Sequence, residues 1–253
     1  MTAPMRPDEY IIMRGYEDTY WWYSGLRRLL TFALEKYIWP VETIAVLDAG
    51  CGTGGNLVHL KQILNRAKFF GMDVYQSAID LTNSRNTGAA LLEASVNQVP
   101  FKENSFDVII CLDVLCLDGI EDLKVLLEFY RTLKPGGILL VNLPAFEFLR
   151  GAHDSAVRTS HRYTVDELRQ KLNATGFAIR RITYWNALLF PLLFVWRKIS
   201  ALKKNPGNPR SDFRPLPVWI NEVLKFLLRI EQIAISYVDL PFGTSVFAVA
   251  QKP

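Results

Sequence analysis

Cysteine and histidine are both scarce in this chain of 253 residues, at three each. Cys51, Cys111 and Cys116 are an odd number at spacings that suit neither a disulfide framework nor a zinc-ligand set, so reduced thiols, a cytoplasmic setting and no bound metal are expected. Also lacking is an apolar run of the ~20 residues that a spanning helix needs. The most apolar stretch, residues 182–196, is interrupted by Asn186 and Pro191. Residues 1–10 carry prolines and charges around no apolar core, so no secretory signal is expected. Charge is modest, at 21% of residues and net +4, and no basic run is interleaved with stacking aromatics, which argues against a nucleic-acid partner. Internal repeats and low-complexity segments are missing as well.

What is present is enough apolar sequence, half of all residues, to bury the core of one large domain. Leu26, Leu29, Leu30, Ala33 and Leu34 recur at helical spacing and predict a helical arm over 8–38, broken near Gly15 and stopped by Pro40. From residue 44 the pattern alternates. Strands are predicted at 44–48, 68–73, 90–93, 106–112 and 138–143, and helices at 56–64, 77–86 and 121–133, with Pro135-Gly136-Gly137 as a turn. Such alternation specifies a parallel sheet covered by helices on both faces. Thr164-Val165-Asp166-Glu167 has capping-box spacing and opens a helix that stops before Gly176. Strands at 177–184 and 245–250 close the pattern. Between them, 187–203 is apolar with a basic end, 205–209 is a Pro/Gly/Asn loop, and 219–238 is an amphipathic helix. The expected organisation is a single domain: arm 1–40, α/β core 41–184 and 245–253, and helical insertion 185–244.

The densest signal is Val46-Leu47-Asp48-Ala49-Gly50-Cys51-Gly52-Thr53-Gly54-Gly55, an apolar strand ending in an acid, then a turn whose glycines let backbone approach a ligand closely. Gly50, Gly52 and Gly55 also fit the dinucleotide fingerprint G-x-G-x-x-G. Asp73, at the end of the next strand, is placed to accept from two ribose hydroxyls, which suits NAD as well as any other adenosine cofactor.

The full string Leu47-Asp48-Ala49-Gly50-Cys51-Gly52-Thr53-Gly54 resembles the first motif of class I S-adenosylmethionine-dependent methyltransferases. Further matches follow in order: Phe70-Gly71-Met72-Asp73, then Val99-Pro100-Phe101 with Ser105-Phe106-Asp107-Val108-Ile109, then Leu133-Lys134-Pro135-Gly136-Gly137-Ile138-Leu139. The resemblance implies a Rossmann-like, mostly parallel sheet with an antiparallel last strand. It also implies S-adenosylmethionine held by Asp48, Gly50, Cys51, Gly52, Thr53, Gly54, Asp73, Val74, Ser95, Val96, Leu112 and Asp113. Within that set Asp48 either meets the cofactor's ammonium, directly or through water, or caps the glycine turn. Two departures stand out. Ser95 occupies a place where many relatives have an Asp that touches the adenine amine, and Asp113-Val114-Leu115-Cys116-Leu117 stands where they read Asp-Val-Leu-Glu-His.

A bacterial subgroup of type-11 methyltransferases is resembled more widely. The matching pieces are Glu17-Asp18-Thr19-Tyr20-Trp21-Trp22-Tyr23 with Arg27-Arg28, the stretch through His153-Asp154, His161-Arg162-Tyr163-Thr164 and Asn186, and the close from Gly243 to Pro253. Relatives often carry His at Tyr20 and Arg at His161, and many suit glycan or secondary-metabolite tailoring. On the acceptor side, His153 is the candidate general base, with Asp154 to orient it or contact substrate and His161 nearby; a loop histidine satisfied by backbone is the plainer alternative. His59 is expected to be packing or surface. Tyr20, Trp21, Trp22, Arg27, Arg162, Tyr163, Trp185 and Asn186 are the candidate acceptor contacts. The aromatics, with Phe190, Phe194, Trp196 and Trp219, wall an apolar pocket or meet a bilayer. Arg197, Lys198, Lys203 and Lys204 suit a peripheral membrane contact through 187–204, against a packed cap or dimer face. The expected function is methyl transfer to a small, medium or lipid-linked, partly apolar acceptor, on oxygen first, with nitrogen or carbon next. A non-catalytic cofactor-binding subunit and an NAD-dependent oxidoreductase are the alternatives from other classes.

Overall fold

Runs rich in Val, Ile, Leu and Phe form strands that are buried on both faces at the sheet's centre and more exposed at the β3 edge, and the amphipathic segments between them cover those faces. The computed structural model describes residues 7–38, 43–202 and 215–253. Pro40, Lys203, Lys204, the loop at 205–209 and the side chain of Lys198 lie outside the described residues. The elements are α1 (Pro7–Tyr16), α2 (Trp21–Tyr37), β1 (Ala45–Ala49), α3 (Gly55–Ile63), β2 (Lys68–Asp73), α4 (Gln76–Asn83), β3 (Ala90–Glu93), β4 (Phe106–Leu112), α5 (Asp122–Thr132), β5 (Leu133–Pro144), α6 (Ala152–Val157), α7 (Val165–Ala174), β6 (Ala178–Trp185), α8 (Phe190–Leu202), α9 (Val218–Tyr237) and β7 (Ser245–Gln251), with a 3-10 turn at Glu147–Leu149.

Seven strands form one sheet in the order β3-β2-β1-β4-β5-β7-β6. The first five run parallel, and β7 lies antiparallel between β5 and β6. The strand order reverses between β1 and β4, so a crevice opens beyond their C-terminal ends, where α/β sheets bind ligands. Side chains alternate across the sheet. Val46, Val108 and Ile110 pack under α2, while Leu47, Ile109 and Cys111 pack against α5. All three cysteines are buried and unpaired.

Three local details differ from the sequence pattern. Gly15 stays helical, and the arm breaks at 17–20 instead, where Glu17 is pulled inward by the ion pairs described below. Pro135-Gly136-Gly137 does not separate helix from strand. Leu133 already pairs with Phe106, and the ladder absorbs the turn as a register shift, with Gly136 at φ 79°. Only half of the capping box forms at α7: Thr164 Oγ1 accepts from Glu167 N at 3.2 Å, and the Glu167 carboxylate lies on His161 instead.

The insertion returns onto the arm. α9 runs along α2, with Leu228 so close to Gly25 that a Cβ there would collide with it. Glu231, buried on α9, accepts the backbone N–H groups of Asn186, Ala187 (2.7 Å) and Leu188 (2.9 Å) and so pins the start of the insertion. Among the described residues no helix is long and apolar enough to cross a membrane.

Candidate cofactor and acceptor site

The glycine turn sits at the sheet's switch point. Gly50 N and Cys51 N donate to Met72 O at 2.8 and 2.9 Å, which ties the turn to the end of β2. Gly50 has φ 87°, and a Cβ there would collide with Val114 just beyond β4. Beneath the turn Asp48 is 1% exposed, and its Oδ2 has no hydrogen-bond partner. Burial, with the Asp73 and Glu17 carboxylates nearby, pushes its pKa up to about 7. An unsatisfied buried oxygen costs about 1–3 kcal/mol, so this seat is complete only when a donor or cation arrives. Asp73 closes the other side of the turn. Its Oδ2 accepts from Gly52 N at 3.0 Å, and its Oδ1 from Tyr75 N at 3.2 Å and from the Tyr10 hydroxyl at 3.4 Å. Burial raises its pKa, against these hydrogen bonds.

The N-terminal arm, expected at the acceptor, also clamps the glycine turn, which sequence reasoning did not anticipate. Met13 reaches Gly52, where a Cβ would lie 2.9 Å from its Cε. Glu17 is buried, accepts from the Thr53 hydroxyl and pairs with Arg85, with Arg27 at 3.9 Å. Arg85 also donates to Thr53 O at 2.6 Å and pairs with Asp18 at 2.9 Å. The glycine turn is thus clamped between arm and α4. The one sequence signal for it was the pair Glu17-Asp18 interrupting a helical pattern.

A cavity of about 730 Å³ extends from the turn along the sheet edge. Gly50, Cys51, Gly52, Thr53, Asp73, Val74, Ser95, Val96, Leu112 and Asp113 line one end. Two residues of the cofactor set lie behind that wall: Asp48, and Gly54, which starts α3 against Thr82. Ser95 Oγ accepts from Asn97 N at 3.2 Å, and the Asn97 amide is spent on Gly119 O and Glu121 N, which leaves Ser95 as the polar side chain at that edge. Tyr20, Trp21, Trp22 and Tyr23 from the arm, and Leu193, Trp196, Ile220 and Leu224 from α8 and α9, wall the other end.

Of the acceptor and catalytic candidates, Tyr20, Trp21, Trp22, Arg162, Asn186, His153 and Asp154 reach this cavity. Four others do not. Trp185 is fully buried, because β6 runs one residue further than its pattern suggests, and its Nε1 donates to Asn142 Oδ1 at 2.7 Å. Arg27 turns to Glu17. Tyr163 is buried with its hydroxyl 2.8 Å from Asp122. His161 is held between Glu167 at 2.8 Å and Glu147 at 3.4 Å. Asp154 is engaged by two arginines. Arg162 donates to both its oxygens, at 2.8 and 3.0 Å, Gly151 N donates at 2.7 Å, and Arg197 lies at 3.2 Å. Burial opposes its charge, but the Arg162 hydrogen bonds outweigh burial and hold the carboxyl below the usual range. It anchors Arg162 and α8.

Asp113 has more chemical potential than its sequence role suggested. It follows β4 in the left-handed region at φ 57°. Asn142 Nδ2 donates to both of its carboxylate oxygens, at 3.0 and 3.1 Å, and Asn142 is itself aligned by Trp185. Burial pushes Asp113 up to about 7, against the pull of Asn142 and Arg162. A carboxylate that ionises near neutrality therefore faces the cavity at a place where the Glu–His pair is missing. Glu9 also lines it, nearly buried, with Oε2 unpartnered.

The polar lining has the chemistry for a nucleoside with a ribose diol and a cationic tail: Asp73 suits the diol and Ser95 and Val96 the base, while Asp48 lies behind the wall and reaches a cation only through water. Residues 47–141 match the family model described as a methyltransferase domain. The chain is 29% identical over 138 residues to the tRNA N(3)-methylcytidine methyltransferase Mettl2 of Drosophila melanogaster, covering 50% of this chain and 42% of that one. It is 27% identical over 128 residues to the malonyl-[acyl-carrier protein] O-methyltransferase of Hamiltonella defensa, covering 50% and 48%. The chain thus spans less than half the length of these curated relatives. Among solved structures, it superposes on a chain from the complex of the Haloferax volcanii Trm112 methyltransferase activator with a TM-score of 0.64, 18% identity and coverage of 99% and 98%.

Proposed function

We propose that this chain, whose residues 47–141 match a methyltransferase-domain model, is an S-adenosylmethionine-dependent enzyme that methylates a hydroxyl oxygen on a small or medium, partly apolar organic acceptor. The observation that carries this reading is the cavity whose lining brings Gly50, Asp73 and Asp113 together with Trp21, Trp22, Ile220 and Leu224. S-adenosylmethionine supplies a methyl group already activated on a sulfonium, so the protein's task is proximity, alignment and exclusion of water. Asp73 binds the ribose diol once the Tyr10 hydroxyl gives way. The aromatic arm and the two insertion helices desolvate the acceptor. Asp113 takes the hydroxyl proton, aligned by Asn142, while His153 lies on the same cavity as the competing base. The apolar wall suits a secondary metabolite or a lipid-linked sugar better than a free polar glycan.

Calorimetric titration with S-adenosylhomocysteine and with NADH tests the cofactor end; binding of NADH alone would return the protein to the dehydrogenases. Transfer of labelled methyl to a panel of phenols, fatty acids and prenyl-linked sugars tests the acceptor end. A protein that binds S-adenosylhomocysteine yet methylates nothing is a cofactor-binding subunit instead. The unpartnered Glu9 oxygen favours a second reading, a basic amine acceptor methylated on nitrogen. In that case Glu9→Gln, and not Asp113→Asn, carries the larger loss of acceptor affinity.

A further inference from the structure

Helix α9 is apolar on two opposite sides. Leu228 and Ile235 are buried on its inner side, and Ile220 and Leu224 line the cavity. On the outer side Trp219, Val223, Phe226, Ile230, Ile233 and Tyr237 recur at steps of four and three and share one face. They are well exposed, Trp219 at 69%, Ile233 at 64% and Tyr237 at 84%. The stripe carries no charge and runs about 27 Å along the helix at 1.5 Å per residue. Nothing among the described residues covers it, although a surface helix of a folded domain is normally polar on its outer side.

The rim of the stripe says what covers it. Beside α9 lies a second groove, of about 530 Å³, lined by Arg27, Arg28, Arg85, Lys225 and Arg229, with Asp18 as its one carboxylate among the described residues. Arg85 pairs with Glu17 and Asp18, and Lys225 with Glu222. Arg28 and Arg229 have no carboxylate partner among the described residues, and partial burial together with Arg229 pulls the Arg28 guanidinium below its ordinary value. Arg27, whose Nη2 lies 3.9 Å from Glu17, adds two buried donor atoms, Nε and Nη2, with no hydrogen-bond acceptor among the described residues. An apolar face bordered by cations that lack counter-ions is complementary to a bilayer with anionic headgroups, the chain side by side with the phosphate. Trp219 and Tyr237 stand at the two ends of the stripe, and such side chains favour the headgroup level.

We propose that α9 docks by its outer face on an anionic phospholipid surface, with headgroup phosphates in the groove between Arg28 and Arg229. This face is distinct from the contact expected through 187–204, where Leu192 and Val195 are also exposed. Arg197 of that segment is turned inward onto Leu149 O and Asp154, and Phe190 and Phe194 stack with each other beside Phe148. Ile220 and Leu224 wall the acceptor cavity from the opposite side of the same helix, so docking would hold that cavity one helix diameter, ~10 Å, from the lipid, and an acceptor drawn from the bilayer would suit it; this last consequence rests on the proposed methyl transfer, and the docking does not.

The test is co-sedimentation of the whole protein with vesicles of phosphatidylcholine alone and of phosphatidylcholine mixed with phosphatidylglycerol. Pelleting with the anionic vesicles is expected, weakened by about 0.5 M salt, where charges are screened within ~4 Å. Phe226→Glu with Ile230→Glu should lower partitioning roughly tenfold or more. Arg28→Glu with Arg229→Glu should do so to a similar degree, at about 1 kcal/mol per basic residue. Brominated lipid should quench wild-type fluorescence more than that of Trp219→Phe. Calorimetry with S-adenosylhomocysteine shows that each variant is folded. Wild type remaining in the supernatant with both vesicles overturns the proposal, as does unchanged pelleting of the Phe226/Ile230 variant. A dimer that this variant splits, with no vesicle binding, overturns it too and assigns the face to a second copy. Pelleting without S-adenosylhomocysteine binding would remove the proposed function and leave the docking standing.

Discussion

Asp113→Asn keeps the shape of the side chain and removes its ability to ionise, so it separates the chemistry of the site from its stability. At ~1.4 kcal/mol per pH unit, the gap between the ordinary 3.8 and about 7 means that the folded protein disfavours the ionised carboxylate by roughly 4 kcal/mol. That figure is an upper bound, because the side chain is only partly shielded and the cavity admits water. The folded value is raised, so the stability tied to the protonated form is fully present below 3.8 and is lost as pH rises through about 7. Asparagine never ionises and escapes that loss. Relative to wild type the variant should gain stability steadily between about pH 4 and pH 8, ending about 5–10 °C higher in Tm at the alkaline end. Thermal melts across that range measure this without any acceptor.

The kinetic half of the same prediction runs the other way. Removing a general base should lower kcat about a hundredfold or more while S-adenosylhomocysteine affinity holds. Wild-type kcat should rise with unit slope below about 7, and the variant should be low and flat. His153→Ala should keep the rise. A wild-type Tm gap that does not widen with pH, or a rise that survives in Asp113→Asn and vanishes in His153→Ala, refutes the assignment of the base to Asp113.

Further expectations concern the cofactor end and the scaffold. If Asp48 meets the ligand's ammonium, binding must ionise it, so S-adenosylhomocysteine affinity should rise by up to roughly tenfold per pH unit below about 7 and level off above, and Asp48→Asn should flatten the curve in calorimetry. Glu17→Ala leaves Arg85 buried without its main partner and frees Thr53, so unfolding should be easier by about 3–5 kcal/mol in urea titrations, with weaker cofactor binding. Glu231→Ala strands the N–H groups of Asn186, Ala187 and Leu188 and should cost about 3 kcal/mol of stability by the same measurement, with the cofactor affinity preserved.

The cofactor half of the molecule was legible because each of its signals is local. Asp48 and the glycines that follow occupy a single strand-turn-helix unit, and Asp73 ends the very next strand. The acceptor half was legible only as composition. His153 and His161 are eight residues apart and read alike, yet a short helix turns one to the cavity while two glutamates hold the other away. Trp185 read as pocket wall because its sequence position borders the insertion; one more ladder pair, with Ser245, makes it core. Glu17 and Arg85 meet across 68 residues, and no periodicity encodes such a pair. Lone ion pairs of this kind become visible only when the sheet has brought α4 beside the arm.

The arm and the insertion hold each other, and that joins two distant segments into one acceptor wall. Trp21 N, an N-terminal donor of α2, is satisfied by Asn221 Oδ1 of α9 at 2.9 Å, and Asn221 Nδ2 returns a bond to Thr19 O at 2.9 Å. Gln232 donates to Gly25 O at 2.6 Å one side of the same interface, where Gly25 admits Leu228. Neither segment can therefore move alone: whatever displaces α9 also displaces Trp21 and Trp22. The arm, however, is fixed independently to the glycine turn through Glu17 and Thr53. The outer face of α9, the cavity wall at Trp21, Trp22 and Ile220, and the glycine turn with Tyr10 and Met13 are thus joined through a continuous series of packed contacts.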